Sequence, residues 1–157
     1  MRIALQFARF PLRIRGSVID GRGVFAETRI PARRQVVEYT GEKITLHQAL
    51  LRVRRILFGS GTRRTTKPPS KHLYIARLNR GYAIDGAVGG SGAEFINHCC
   101  DPNLFSRKNQ GRIYFYSKKL IRKGQELTID YKFGPSEMPM ACRCGSPKCR
   151  GTINRPK

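Results

Sequence analysis

Apolar and polar residues alternate with a period of two over several short stretches, which predicts strands. The candidates are Val24 to Glu27, Gln35 to Tyr39, Leu73 to Arg77, Tyr82 to Asp85, Ile113 to Tyr116 and Leu127 to Ile129. Asn109-Gln110-Gly111 reads as a hairpin turn ahead of Ile113, and Lys123-Gly124 as a turn ahead of Leu127. One segment changes period. Leu46, Ala49, Leu50, Val53, Ile56 and Leu57 share one helical face, with Thr45 as its N-cap. Arg52, Arg54 and Arg55 fall mostly off that face and read either as solvated surface or as a basic docking stripe. Gly59 to Lys71 reads as a basic loop, and the segment from Gly134 onward as turn-rich and poor in apolar residues. The pattern predicts a mainly β, β-rich α+β fold of short elements.

Length and composition narrow this. The 157 residues suit one domain, and 16 Gly with 9 Pro favour turns over a helical bundle. Lys and Arg number 31 against 10 Asp and Glu, a formal net charge of +21. Such an excess draws polyanions through counterion release and long-range steering, so nucleic acid, or a protein carried on it, is the expected partner. No apolar run is long enough to span a membrane, and the opening residues lack a secretory apolar core. The expected location is therefore intracellular: nucleus and chromatin in a eukaryote, cytoplasm in a bacterium.

Five cysteines, an odd number, argue against a complete disulfide framework. Cys142, Cys144 and Cys149 form C-x-C-x4-C, with Gly145 and Pro147 letting the chain fold back. Clustered thiolates of this kind point to zinc, which wants four ligands in a tetrahedron. The spacing leaves the fourth open among Cys99, Cys100 and His98. A ligand from that distant segment would clamp the tail over it, so zinc would order a wall of a functional site.

Four motifs, in order, carry a resemblance to the SET-domain lysine methyltransferases with a post-SET zinc tail. They are Gly21-Arg22-Gly23-Val24-Phe25-Ala26 with Val37-Glu38-Tyr39-Thr40-Gly41-Glu42; Phe95-Ile96-Asn97-His98-Cys99-Cys100-Asp101-Pro102-Asn103; Glu126-Leu127-Thr128-Ile129-Asp130-Tyr131; and the C-x-C-x4-C tail. The resemblance implies a SET fold of several short sheets over residues 1–133, with a threaded C-terminal segment, and a zinc-binding tail over 134–157. It implies S-adenosylmethionine as methyl donor and the lysine amine of a protein as acceptor: a histone, a ribosomal protein or a nucleoid protein.

Residue by residue, the resemblance assigns cofactor contacts to Gly21, Arg22, Gly23, Tyr74, Phe95, Asn97, His98 and Tyr131, with Arg143 and Ile153 from the tail. Tyr131 is the expected catalytic tyrosine, aided by Tyr39, and Tyr39, Ile129, Tyr131 and Phe133 are expected to line the lysine channel. Cys100 becomes the fourth zinc ligand beside Cys142, Cys144 and Cys149.

Three residues depart from the family pattern. Cys99 stands in place of a serine, Glu94 where arginine is frequent, and Ile129 where Phe or Tyr is usual. Without a hydroxyl at Ile129 to limit the product, di- or trimethyl-lysine is expected. The cysteine-rich segment and chromatin-reading modules of many relatives are missing, so a minimal free-standing enzyme is expected. The rival readings are a catalytically inactive SET-like scaffold that binds nucleic acid, and a zinc-dependent nucleic-acid module without methyl chemistry.

Overall fold

A computed structural model describes residues 1–58, 73–135 and 140–155. Among these, ten short strands form three small sheets, with one α-helix. The first sheet joins β1 (Leu12–Gly16), β2 (Arg22–Ala26), β10 (Glu126–Ile129) and β7 (Asn97–His98), in that spatial order. The second orders β3 (Gln35–Tyr39), β9 (Arg112–Ser117) and β8 (Leu104–Asn109). The third orders β4 (Glu42–Thr45), β6 (Tyr82–Asp85) and β5 (Ile75–Arg77), and α1 (Leu46–Phe58) packs on it. The mainly β expectation is met. No described helix is long and apolar enough to cross a membrane.

Local chemistry explains the junctions. Gln110 and Gly111 both have positive φ, 46° and 74°, as a two-residue primed turn demands, and Asn109 pairs with Arg112 across it. Thr45 caps α1: the Gln48 N–H donates to Thr45 Oγ1 at 3.2 Å, while Gln48 Oε1 accepts from the Thr45 N–H at 2.9 Å. This reciprocal pair satisfies two donors at the helix start.

The helix face differs from the periodicity reading. Ala49 is buried against Ile44 and Ala83, but Leu50 is 65% exposed. Arg52 is half-buried, pairing with Asp85 at 2.6 Å and Glu42 at 2.8 Å. A long side chain can carry its guanidinium across to a buried carboxylate that sequence spacing does not reveal. Arg52 is thus a tie between helix and sheet, not part of a docking stripe. The Gly59–Lys71 loop lies outside the described residues.

The main core lies between the first two sheets, around Leu12, Val24, Val36, Leu104, Ile113 and Leu127, all fully buried. Its unusual feature is the placement of β10. The strand runs antiparallel to β2, with Leu127 opposite Val24, and parallel to β7, with Thr128 opposite Asn97. Asn103 clips this arrangement, donating to the Glu126 carbonyl at 2.7 Å and accepting from the Thr128 N–H at 2.9 Å. The second and third motifs are therefore laced together at one end of the sheet.

Candidate active site and thiolate cluster

A cleft of about 210 Å³ opens where β2, β7 and the chain beyond β10 meet the tail. Gly21, Arg22, Tyr74 and Phe95 line one part, and Asn97, Tyr131, Phe133 and Ile153 another. Eight of the residues expected on the cofactor or in the channel thus come together. Asp20, Leu73, Glu94 and Met140 complete the wall. The sequence reading did not place Asp20, Leu73 or Met140 there, although Asp20 and Leu73 adjoin assigned residues; Glu94 stands at the position marked as departing from the frequent arginine.

The wall is chemically mixed. The Arg22 guanidinium sits 3.8 Å from the centre of the Phe95 ring, a cation–π contact that fixes both. Burial pushes the Glu94 carboxyl above the usual carboxylate range, with the Gly92 N–H pulling it back. Asn97 holds the turn that carries Gly21: its amide donates to the carbonyls of Asp20 and Arg22 and to Glu126 Oε1 at 2.9 Å. Glu126 is itself gripped by Ser17 Oγ, 109 residues away, at 2.8 and 2.9 Å.

Gly23 is not on the cleft wall. A Cβ there would strike the Glu126 carboxylate and crowd Ser17. The glycine leaves room for the Glu126 carboxylate.

Tyr131 lines the cleft, 36% exposed as a residue but with its hydroxyl in the desolvated part. Its hydroxyl donates to the Ile96 carbonyl at 3.0 Å, and its ring packs on His98 and Phe133. Burial raises its pKa above the ordinary tyrosine value, and Asp20 adds to the rise. Tyr39 stands behind the cleft, donating its hydroxyl to the Tyr74 carbonyl, with its pKa also raised by burial. Ile129 is buried in the core beside it.

The His98 ring is occupied elsewhere. Nδ1 accepts the Tyr131 N–H at 3.1 Å, and Nε2 lies 3.5 Å from Cys100 Sγ. Burial lowers the His98 pKa, outweighing nearby Asp130, so the ring is neutral. With Nδ1 accepting, the proton sits on Nε2 and points at the sulfur. His98 therefore connects the Tyr131 backbone to the cysteine cluster, and its ring does not line the cleft. Spacing cannot separate a ligand contact from such a bridging role.

The cluster consists of Cys100, Cys142, Cys144 and Cys149, whose sulfurs all lie within 4.8 Å of one another. Cys100 and Cys142 are 3.7 Å apart. A tetrahedron with metal–sulfur bonds of ~2.3 Å has edges of about 3.8 Å, so this thiol set fits zinc. The geometry includes Cys100 and leaves out both Cys99 and the His98 ring. Cys99 is buried, and burial pushes its thiol up to about 11. Two N–H groups, from His98 and from the Arg150 backbone at 3.4 Å, face Cys100 Sγ and would support a thiolate.

The tail is tied to the chain just beyond β10 through Arg150. Its guanidinium forks onto Asp130, with Nη1 at 3.0 Å from Oδ2 and Nη2 at 3.1 Å from Oδ1. Burial alone would raise Asp130, but the Arg150 bonds outweigh it and hold the carboxyl below its usual range. Cys142 and Gly151 bond backbone to backbone, Ile153 bonds to Met140, and Arg155 bonds to Phe133. These bonds carry Ile153 and Met140 to the cleft. Arg143 is exposed and lies off the cleft wall.

This fold and site are those of a SET-domain protein, and the chain belongs to that family: residues 21–132 match the SET domain. Among curated relatives, it is 36% identical over 155 residues to the histone-lysine N-methyltransferase set1 of Dictyostelium discoideum, covering 96% of this chain and 10% of that protein. It is 35% identical to human SETD1A, covering 96% and 8%, and 37% identical to TRX1 of Oryza sativa subsp. japonica, covering 88% and 13%. Both are likewise named histone-lysine N-methyltransferases. The chain spans about a tenth of the length of these relatives. A crystal structure of KRYPTONITE with mCHG DNA and SAH superposes with a TM-score of 0.73 at 26% identity, covering 93% of this chain and 29% of that one.

Proposed function

We propose that the chain is a protein-lysine N-methyltransferase that uses S-adenosylmethionine, acts on a histone or another protein bound to nucleic acid, and holds one structural zinc. The observation that carries this is Tyr131. It lines a cleft built from the glycine turn, the Asn97 motif and the tail, and its hydroxyl donates to Ile96.

The cleft suits the cofactor. Arg22 complements a carboxylate, Asp20 and Glu94 complement an ammonium or sulfonium, and Phe95, Phe133 and Ile153 offer apolar surface to a purine. When bound, S-adenosylmethionine supplies an electrophilic methyl group on a positively charged sulfur. The protein's part is alignment and exclusion of water. The Tyr131 proton is committed to Ile96, so its lone pairs are left to accept from the incoming amine and fix its direction. Burial keeps Tyr131 and Tyr39 as neutral phenols, so neither takes the lysine proton at neutral pH. The amine, with an ordinary pKa of ~10.4, gives its proton to water before it is desolvated.

The remaining assignments follow the same reading. Residues 1–133 form the catalytic unit and 134–157 the zinc tail, with Cys100, Cys142, Cys144 and Cys149 as ligands. Tyr39, Ile129, Tyr131 and Phe133 form the lysine channel. Ile129 brings no hydroxyl, so the product proceeds to di- or trimethyl-lysine. The setting is chromatin and the nucleus in a eukaryote, or the cytoplasm with a ribosomal or nucleoid substrate in a bacterium.

The test is incubation with labelled S-adenosylmethionine and histones, free and in nucleosomes, beside Tyr131→Phe. The expected result is label on lysine that the variant loses, with mass spectrometry showing more than one methyl. A product that stops at monomethyl-lysine overturns the Ile129 assignment. Absence of both label and cofactor binding overturns the enzyme reading in favour of an inactive scaffold.

A further inference from the structure

The chain's charge is unevenly distributed. Asp20 and Glu94 line the cleft, and Glu126 and Asp130 lie next to it. Glu42 and Asp85 are taken up by Arg52, and Glu38 by Arg112. The far end of the first sheet is almost purely basic. β1 and β2 run antiparallel, with Gly16 opposite Arg22 at the cleft end and Leu12 opposite Ala26 at the other.

Along β1 and β2 a groove of about 670 Å³ is lined by Arg2, Arg13, Arg15 and Lys123, with Leu5 and Pro11 among its apolar residues. Two loops extend it. The bridge between Ile30 and Ile121 joins them, and the Arg33 N–H donates to the Ser117 carbonyl. One loop brings Arg29, Arg33 and Arg34, the other Lys118, Lys119 and Arg122, and all six are exposed. Against these ten cations stand two carboxylates: Glu27, held by Arg2 and Arg13, and Asp101, held by Lys119. The ten cations therefore exceed the two carboxylates by eight, and none of them lines the cleft.

We infer that this surface docks on the phosphate backbone of duplex DNA, leaving the cleft free for a lysine on a DNA-bound protein. The inference deepens the reading of the substrate as a nucleic-acid-bound protein and rests on it. Its composition favours a duplex over an unpaired strand. Single strands are gripped by aromatic rings that stack on open bases. Among the described residues that line the groove, Phe25 is the only aromatic ring, and it is covered by the Arg15 guanidinium at 3.9 Å. A cationic surface without a stacking platform reads backbone charge, not bases.

The experiment measures anisotropy of the full chain with a labelled duplex DNA of about 20 base pairs, at several salt concentrations. Two variants remove the same charge: Arg29→Gln/Lys118→Gln/Arg122→Gln/Lys123→Gln on this surface, and Lys43→Gln/Arg54→Gln/Arg55→Gln/Arg80→Gln on the third sheet, its helix and the adjoining loop. Circular dichroism checks that both are folded. Each lost phosphate contact lowers the slope of log affinity against log salt by about 0.9, so the first variant is expected to lose about 3.6 and the second less than 1. Equal losses in both variants, or tighter binding of wild type to single-stranded RNA of equal length, overturn the proposal. Methylation of a free histone peptide by the first variant is read alongside. The expected loss of slope in the first variant, with neither methylation nor SAH binding by wild type, leaves the surface standing and refutes the enzyme reading, while methylation by wild type with an unchanged slope in the first variant does the reverse.

Discussion

Arg150→Met isolates the tie between the tail and the chain just beyond β10. Methionine keeps much of the apolar stem but removes the fork onto Asp130 at 3.0 and 3.1 Å and the bond to the Ile153 carbonyl at 3.2 Å. The paired side chains are only 24% and 20% exposed, so solvent screens the interaction less than on an open surface. Charge-assisted hydrogen bonds contribute roughly 1.5–3 kcal/mol, and partial exposure brings the whole fork to about 2 kcal/mol. Asp130 keeps one bond, from the Lys132 N–H, and the buried Arg150 Nε finds no hydrogen-bond partner among the described residues, which lowers the gain further.

The readout is hydrogen exchange of the Cys142 and Ile153 amides, which bond across the tail. A loss of about 2 kcal/mol in docking lowers their protection about 30-fold. A double-mutant cycle with Asp130→Asn should give a coupling of about 1.5 kcal/mol. A coupling under about 0.5 kcal/mol, the level of an exposed pair, would show that the fork does not hold the tail.

Other perturbations have equally definite outcomes. Gly23→Ala forces a methyl against Glu126, which Ser17 and Asn97 hold in place. It should cost about 1–3 kcal/mol and weaken SAH binding, read by thermal melting and calorimetry; an unchanged melting temperature would refute the close packing. Because burial raises the Tyr131 pKa above 10, the phenol stays protonated and kcat/KM for a lysine peptide should climb from pH 7 to 10 with no falling limb. A decline within that range would mean that Tyr131 ionises there. Metal analysis should find one zinc per chain, retained in Cys99→Ser and lost in Cys100→Ser, with tail amides then exchanging freely. Equal loss in both would place Cys99 among the ligands.

Strands β3 and β6 were legible to the residue because each is a continuous apolar run or alternation closed by a turn. Strand β1 carries the same alternation in Leu12 and Ile14, yet it is missing from the strands that the sequence pattern predicts. Strand β7 has two residues and exists only because β10 lies beside it, so no local pattern could announce it. At the site, motif spacing located the glycine turn, the cysteines and Tyr131. It could not show that Gly23 makes room for Glu126, that the His98 ring serves Cys100, or that Arg150 reaches back to Asp130. Those facts depend on contacts between distant segments, which sequence distance hides.

The lacing of β10 between β2 and β7 has a kinetic consequence. Ser17 meets Glu126 across 109 residues, and Asn97 meets it across 29. Contacts of such high order must close large loops before they return any stability, which slows the final step of folding. No partly assembled chain can present a working cleft, because its glycine turn is locked only when the last strand arrives. Capture of the cofactor should therefore trail the recovery of secondary structure in a refolding experiment, making ligand uptake a clock for the completion of the fold.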